Sequence, residues 1–229
     1  VTYVGKEATY DGEAHSIEAQ NLPAGVTASY NGNTQINAGE YTVIVSFAGD
    51  SANYELIPSQ EVTLKINKAT HDMSGITFEN KTVTYNAQEQ NVTISGELPE
   101  GVTVSYEGNT GTNAGTYHAI AKFIVADEVN YNTIANKEAD LIIKKATYDM
   151  TGVTYVGKEA TYDGKTHSIE AQNLPDGVTA SYNGNAQINA GEYTVVVSFT
   201  GDSTNYEEIP SKEVTLKINK ATYDMSGIT

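Results

Sequence analysis

The chain is written three times over. Lys68-Ala69-Thr70-His71-Asp72-Met73-Ser74-Gly75 returns as Lys145-Ala146-Thr147-Tyr148-Asp149-Met150-Thr151-Gly152, and again as Lys220-Ala221-Thr222-Tyr223-Asp224-Met225-Ser226-Gly227. A repeat of this period means that each copy is one folding unit, so function is read per copy and then per array. The copies run 1–76, 77–152 and 153–229. The first and third are close to identical, while the middle one diverges and carries one extra residue before Leu98 and another before Asp127. The order is A–B–A. Unlike neighbours are less prone than identical ones to swap strands during folding.

A copy of about 76 residues buries only about 60% of its unfolded surface, so each core is thin. With Cys 0, no disulfide, thiolate nucleophile or Cys-ligated metal adds to it. Stabilisation must come from strands, from contacts at the joints, or from an intramolecular Lys–Asn bond, for which Lys6, Asn67 and Glu61 are the residues to inspect. Net charge is −16, and every basic residue is Lys. Such a surface repels nucleic acid and anionic membranes, because phosphate binding needs clustered cations. It favours solubility and a monomer. No apolar run approaches the roughly 20 residues a spanning helix needs, so no membrane insertion is expected.

Strand signals dominate each copy. Tyr41, Val43, Val45 and Phe47 share one face of an alternating segment, and Val62, Leu64 and Ile66 share one face of the next. The middle copy keeps both patterns as Tyr117, Ala119, Ala121, Phe123 and as Ala139, Leu141, Ile143. Shorter strands are expected at Lys6–Tyr10, His15–Ala19 and Val26–Tyr30, separated by Asp11-Gly12, Leu22-Pro23, Asn31-Gly32 and Asn37-Ala38-Gly39. The expected fold is all-β: three tandem Ig-like β-sandwich domains of six or seven short strands each, in an elongated array.

Asn37-Ala38-Gly39-Glu40-Tyr41 and its two counterparts lead straight into the long strand. The pattern resembles a tyrosine corner, with Tyr41, Tyr117 and Tyr193 bonding back to the upstream turn. The connectors lack Gly/Ser tracts and hold apolar residues. Met73, Met150, Tyr148 and Ile76 are therefore expected to pack at the joints and stiffen them. The Tyr of the recurring Asn53-Tyr54, Asn130-Tyr131 and Asn205-Tyr206 is expected to close the sandwich edge.

Ala8–Gly12 and Ala160–Gly164 both read Ala-Thr-Tyr-Asp-Gly. Together with Leu-Pro-x-Gly-Val-Thr, Asn-Ala-Gly-x-Tyr and the closing Ile-x-Lys-Ala-Thr, these phrases resemble the MBG-type Ig-like repeats of bacterial surface proteins, chiefly the wall-anchored adhesins of Gram-positive organisms. The resemblance covers the whole chain. It implies a tandem stalk or adhesive region on the extracellular, cell-wall-anchored surface of a bacterium, and it carries over no catalytic or ligand residues.

The candidate chemistry is thin. His15 and His167 correspond to each other, but His71 is replaced by Tyr148 and Tyr223, and His118 by Thr42 and Thr194. No Ser/His/Asp set recurs, so these read as surface polar positions and the chain as no enzyme. Asp50, Asp127 and Asp202 recur in one loop, and Asp72, Asp149 and Asp224 recur at the joints. Turn and capping roles suit them, with no cofactor; Ca²⁺ at the joints is the lesser alternative, since six to eight oxygens must converge. Tyr10, Tyr54 and their equivalents are the aromatics that parity does not assign to a core. The partners expected are neighbouring repeats of the same chain. The leading function is a structural spacer that projects a terminal binding domain. The alternative is adhesive repeats that bind host glycan or protein weakly, with avidity.

Overall fold

The structure, a computed structural model of the chain, describes residues 4–226. The protein is all-β, built as tandem β-sandwich-like repeats. In the first copy β1 (Lys6–Thr9), β2 (Thr27–Asn31), β3 (Gly39–Ala48) and β4 (Gln60–Asn67) form one sheet in the order β1-β4-β3-β2. The middle copy contributes β5 (Lys81–Thr84), β6 (Gln90–Asn91), β7 (Val102–Glu107), β8 (Thr110–Gly111), β9 (Gly115–Val125) and β10 (Lys137–Lys144). Its sheet runs β5-β10-β9-β7, with β6 and β8 as a separate pair. The third copy, β11 (Lys158–Thr161), β12 (Thr179–Asn183), β13 (Gly191–Thr200) and β14 (Lys212–Asn219), returns to the order of the first.

The long hairpin strands follow the alternation in the sequence. Val43, Val45 and Leu64 are fully buried and Ile66 nearly so, while Glu40, Thr42 and Thr63 point to solvent. Tyr41 sits opposite Leu64 and Val43 opposite Val62, so one face of the hairpin is continuously apolar. Ile17 covers this face from the opposite layer and completes the core. The third copy repeats the arrangement with Ile169 over Val195, Val197, Leu216 and Ile218.

One feature departs from the expectation and another adds to it. First, the first and third copies have fewer regular strands than expected, four each against six in the middle copy, and the His15–Ala19 segment of the first makes an isolated bridge, His15 to Gln35. The physical reason is that side chains satisfy its backbone. Asn33 accepts the Ile17 N–H at 2.7 Å and donates to the Ile17 carbonyl at 2.8 Å, and Tyr30 Oη accepts the Ala19 N–H at 2.7 Å. Asn185 and Tyr182 do the same for Ile169 and Ala171. A segment pinned in this way needs no ladder. Second, the first strand of every copy pairs parallel with its last: Lys6 with Leu64, Lys81 with Leu141, and Lys158 with Leu216.

The turn before β13 shows why a glycine is needed there. Gly184 has φ 82°, and a Cβ on it would lie 2.5 Å from the Thr194 carbonyl oxygen.

The chain divides into two compact units. One comprises 1–79, 93–107 and 119–139; the other comprises 80–92, 108–118 and 140–229. The joint between the first and second copies lies wholly within the former, and that between the second and third wholly within the latter.

Candidate functional site: the repeat joints

Each joint is built from a loop reading Asp-x-x-Asn-Tyr. The loop folds on itself first. Asp202 Oδ1 accepts the Thr204 N–H at 2.9 Å, its Oδ2 accepts from Asn205 Nδ2 at 2.8 Å, and its carbonyl accepts the Tyr206 N–H at 3.0 Å. Asp127 braces Asn130 and Tyr131 in the same way. The hydrogen bond from the Asn amide is the main reason that both carboxyls are held below their ordinary pKa, with the charge of Lys68 or Lys145 adding to it.

The braced Asn then clasps the preceding copy. Asn130 Oδ1 accepts the Ala38 N–H at 2.7 Å, and its Nδ2 donates to Asn37 Oδ1 at 3.2 Å. Asn205 repeats this on Ala114 at 2.8 Å and on Asn113 at 3.3 Å. Both amides are only 6% exposed, and their hydrogen-bonding groups are all engaged. The turn they clasp is the one that the corner tyrosines hold. Tyr41 Oη donates to the Asn37 carbonyl at 2.9 Å, Tyr117 Oη to Asn113 at 2.9 Å, and Tyr193 Oη to Asn189 at 3.0 Å.

The Lys-Ala-Thr phrase supplies the other half of the clasp. Ala69 N–H donates to the Asn130 carbonyl at 2.8 Å, and the Ala69 carbonyl accepts from Asn132 N–H at 2.8 Å; Ala146 pairs likewise with Asn205 and Glu207. Lys68 Nζ donates to the Glu128 carbonyl, and Lys145 Nζ to that of Ser203 at 2.7 Å. One ring stacks on each loop tyrosine and another meets it edge-on. His71 lies on Tyr131 with centroids 4.1 Å apart and Tyr10 approaches at 78°; Tyr148 lies 3.9 Å from Tyr206 and Tyr85 approaches at 76°. At the second joint Asp202 N–H also donates to Tyr148 Oη at 2.9 Å. A Cβ on Gly201 would sit 2.6 Å from the Tyr148 ring, so glycine is what lets that ring lie flat.

Of the expected joint residues, Tyr148 is therefore in the second aromatic stack. Ile76 is 2% exposed, and its carbonyl accepts from Lys137 Nζ at 2.7 Å. Met73 and Met150 are half-buried; Met150 packs against the core of the third copy. Their carbonyls close short turns onto Ile76 and Val153, each capped by Asp72 or Asp149. Sequence reasoning missed Asn130, Asn205, Tyr131, Tyr206, Tyr10 and Tyr85 as joint residues. Tyr131 and Tyr206 clamp the neighbouring copy rather than closing their own sandwich edge, and His71 is a stacking partner rather than a plain surface position. The available signal was the survival of Asp-x-x-Asn-Tyr through the divergent middle copy.

The remaining candidates are used locally. His15 and His167 pair with Asp11 and Asp163 at 3.0 Å, and His118 pairs with Asp140 at 3.0 Å. Lys6 Nζ donates to the Ser16 carbonyl and Asn67 donates to Glu7, while Glu61 sits opposite Ile44, so these three are not gathered for a crosslink. Among the described residues no group of three or more His, Cys, Asp or Glu is arranged to hold a metal ion, and no helix is long and apolar enough to cross a membrane.

No curated protein sequence matches the chain. Among solved structures it is similar to the human desmocollin-1 ectodomain, at 8% identity and TM-score 0.28 over 96% of this chain and 61% of that one. It is also similar to Drosophila N-cadherin EC1-3, at 12% identity and TM-score 0.31 over 95% of this chain and 98% of that one. A third is the Bacteroides ovatus mixed-linkage glucan utilization locus protein SGBP-B in complex with a mixed-linkage heptasaccharide, at 14% identity and TM-score 0.23, with coverages of 95% and 67%. The family model described as the MBG domain matches residues 1–70, 74–147 and 151–222, which is nearly the whole length. The chain belongs to the MBG domain family and carries that domain three times.

Proposed function

We propose that the three repeats are a non-catalytic structural region of an extracellular bacterial surface protein, a wall-anchored spacer that holds a binding domain away from the envelope. The observation carrying this reading is the duplicated joint. Asn130 and Asn205, both buried, make the same bonds to the preceding copy, which favours fixed spacing over a loose tether. The acidic surface supports it, since like charge along the array opposes collapse. Small-angle scattering tests the reading: three copies of about 35–45 Å each, held end to end, give a maximum dimension of about 110–130 Å. A compact profile overturns it.

A second reading, adhesive repeats that bind host glycan or protein, is favoured by one observation. An open groove of about 420 Å³ beside the second joint is lined by Tyr148, Tyr206, Lys145, Asp202 and Ile209, which offers a stacking face and polar groups suited to a sugar. Binding on a glycan array that rises with copy number supports it, and silence at every copy number removes it.

A further inference from the structure

One joint half is left open at each end of the described chain, and the two halves match. In the first copy the Asp-x-x-Asn-Tyr loop is already braced. Asp50 Oδ1 accepts the Ala52 N–H at 3.0 Å, its Oδ2 accepts from Asn53 Nδ2 at 2.7 Å, and its carbonyl accepts the Tyr54 N–H at 3.0 Å. The groups that do the clasping elsewhere are idle. Among the described residues Asn53 Oδ1, the Asn53 carbonyl, and the N–H groups of Asp50 and Glu55 have no partner, and the Tyr54 ring is 76% exposed. In the third copy the opposite half stands ready. Tyr193 holds the Asn189 turn at 3.0 Å, yet Ala190 N–H and both backbone groups of Ala221 are unmatched among the described residues. Tyr223 is 93% exposed and Tyr162 is 43% exposed.

The second joint shows what these halves do when they meet, and the residues are the same. On its receiving side Gly201, Asp202, Ser203, Asn205 and Tyr206 correspond to Gly49, Asp50, Ser51, Asn53 and Tyr54. On its inserting side Asn113, Ala114, Lys145, Ala146 and Tyr148 correspond to Asn189, Ala190, Lys220, Ala221 and Tyr223. The ring sizes match as well. At the second joint a glycine, Gly201, lies under a tyrosine; at the first joint the equivalent position is Ala126 and the inserting ring is the smaller His71. The open loop has Gly49 and the open end has Tyr223, so the pair is of the glycine–tyrosine kind.

We propose that the Asp50–Tyr54 loop is a docking site for the Lys-Ala-Thr-Tyr end of another repeat. In this chain alone, that means two copies bind head to tail: Asn53 capping Ala190, Ala221 bridging to Asn53 and Glu55, and Tyr223 lying over Gly49 on Tyr54. The contact is heterologous, joining the first copy of one chain to the third copy of the next, so each added copy presents a further open half. It rests on the joint geometry, and it stands or falls independently of the spacer reading. Within a chain each joint gains from the high effective concentration of a tethered partner; between chains that gain is lost and association is weak.

Sedimentation velocity on the full chain tests this, in about 0.3 M NaCl to screen the shared negative charge. The wild type associates reversibly, with a dissociation constant on the order of 1 mM or tighter. Gly49→Ala is the discriminating variant. Its Cβ meets only Val26 at 3.6 Å and Gly25 O at 4.0 Å within its own copy, so the fold is untouched while the docking ring is obstructed. It weakens association about tenfold or more. Tyr223→His in the same chain recreates the alanine–histidine pairing of the first joint and restores association to within about threefold of wild type. Asn53→Ala weakens it independently, and amide shifts on dilution are confined to residues near Glu55, Ala190 and Ala221. No association at about 2 mM, or association unchanged by Gly49→Ala, overturns the proposal.

Discussion

Asn205 Oδ1 takes the Ala114 N–H at 2.8 Å from one side of a turn whose Asn113 carbonyl is held by Tyr117 Oη at 2.9 Å from the other. The corner tyrosine is thus a support for the joint as well as a feature of its own domain. The same relation links Tyr41, Asn37 and Asn130 in the first half of the chain.

Replacing Asn205 with Ala removes the clasp and leaves the Ala114 N–H without its acceptor. The expected loss is about 1–3 kcal/mol. Equilibrium urea unfolding reads it as a lower midpoint, and Asn130→Ala lowers it comparably. Asn53→Ala, at the exposed equivalent, leaves the midpoint nearly unchanged. Equal effects at all three positions would show that the loop matters only within its own copy.

Glycine under the ring gives a second contrast. Gly201→Ala places a methyl 2.6 Å from the Tyr148 ring and is expected to destabilise by about 1–3 kcal/mol. Gly49→Ala, with only ordinary contacts, stays within about 0.5 kcal/mol of wild type. Thermal unfolding of the two variants side by side makes the comparison, and a tolerated Gly201→Ala would mean that the stack is free to shift.

Acid should loosen the joints. Asp127 and Asp202 are held below their ordinary pKa first by the side-chain amides of Asn130 and Asn205. A carboxyl with a depressed folded pKa contributes stability that is fully present above its unfolded value, about 3.9, and is lost as pH falls through the folded one. Melting temperature is therefore flat from neutral pH down to about 5 and falls progressively below about 4. In Asp202→Asn the fall is shallower and the neutral-pH value lower. A melting curve indifferent to pH in that window contradicts the brace.

Much of the fold was legible because its central hairpin obeys period two. Tyr41, Val43, Val45 and Phe47 lie on the face that the alternation assigns, as do Val62, Leu64 and Ile66. The His15–Ala19 segment was not legible as an irregular layer, because Asn33 and Tyr30, more than ten residues away, decide its backbone partners. The joints were legible only in part. Connector composition pointed to Met73, Ile76, Tyr148 and Met150, which lie between the copies in sequence. The clasping Asn and Tyr sit more than fifty residues further on, and a loop folding back to its predecessor leaves no local periodicity. What it does leave is a phrase that outlasts the divergence around it.

The parallel pairing of each copy's first and last strands has a mechanical consequence. When the chain is tugged from both ends, the ladders joining Lys6–Thr9 to Leu64–Asn67, and their two counterparts, lie along the load and must slide as a set rather than unzip rung by rung. Each module is thereby a latch against tension. Force spectroscopy on the tethered chain should show separate ruptures at forces above those needed to peel the β2–β3 hairpin open from its turn. Toughness of this kind follows from the direction of the strands, three times over in one chain.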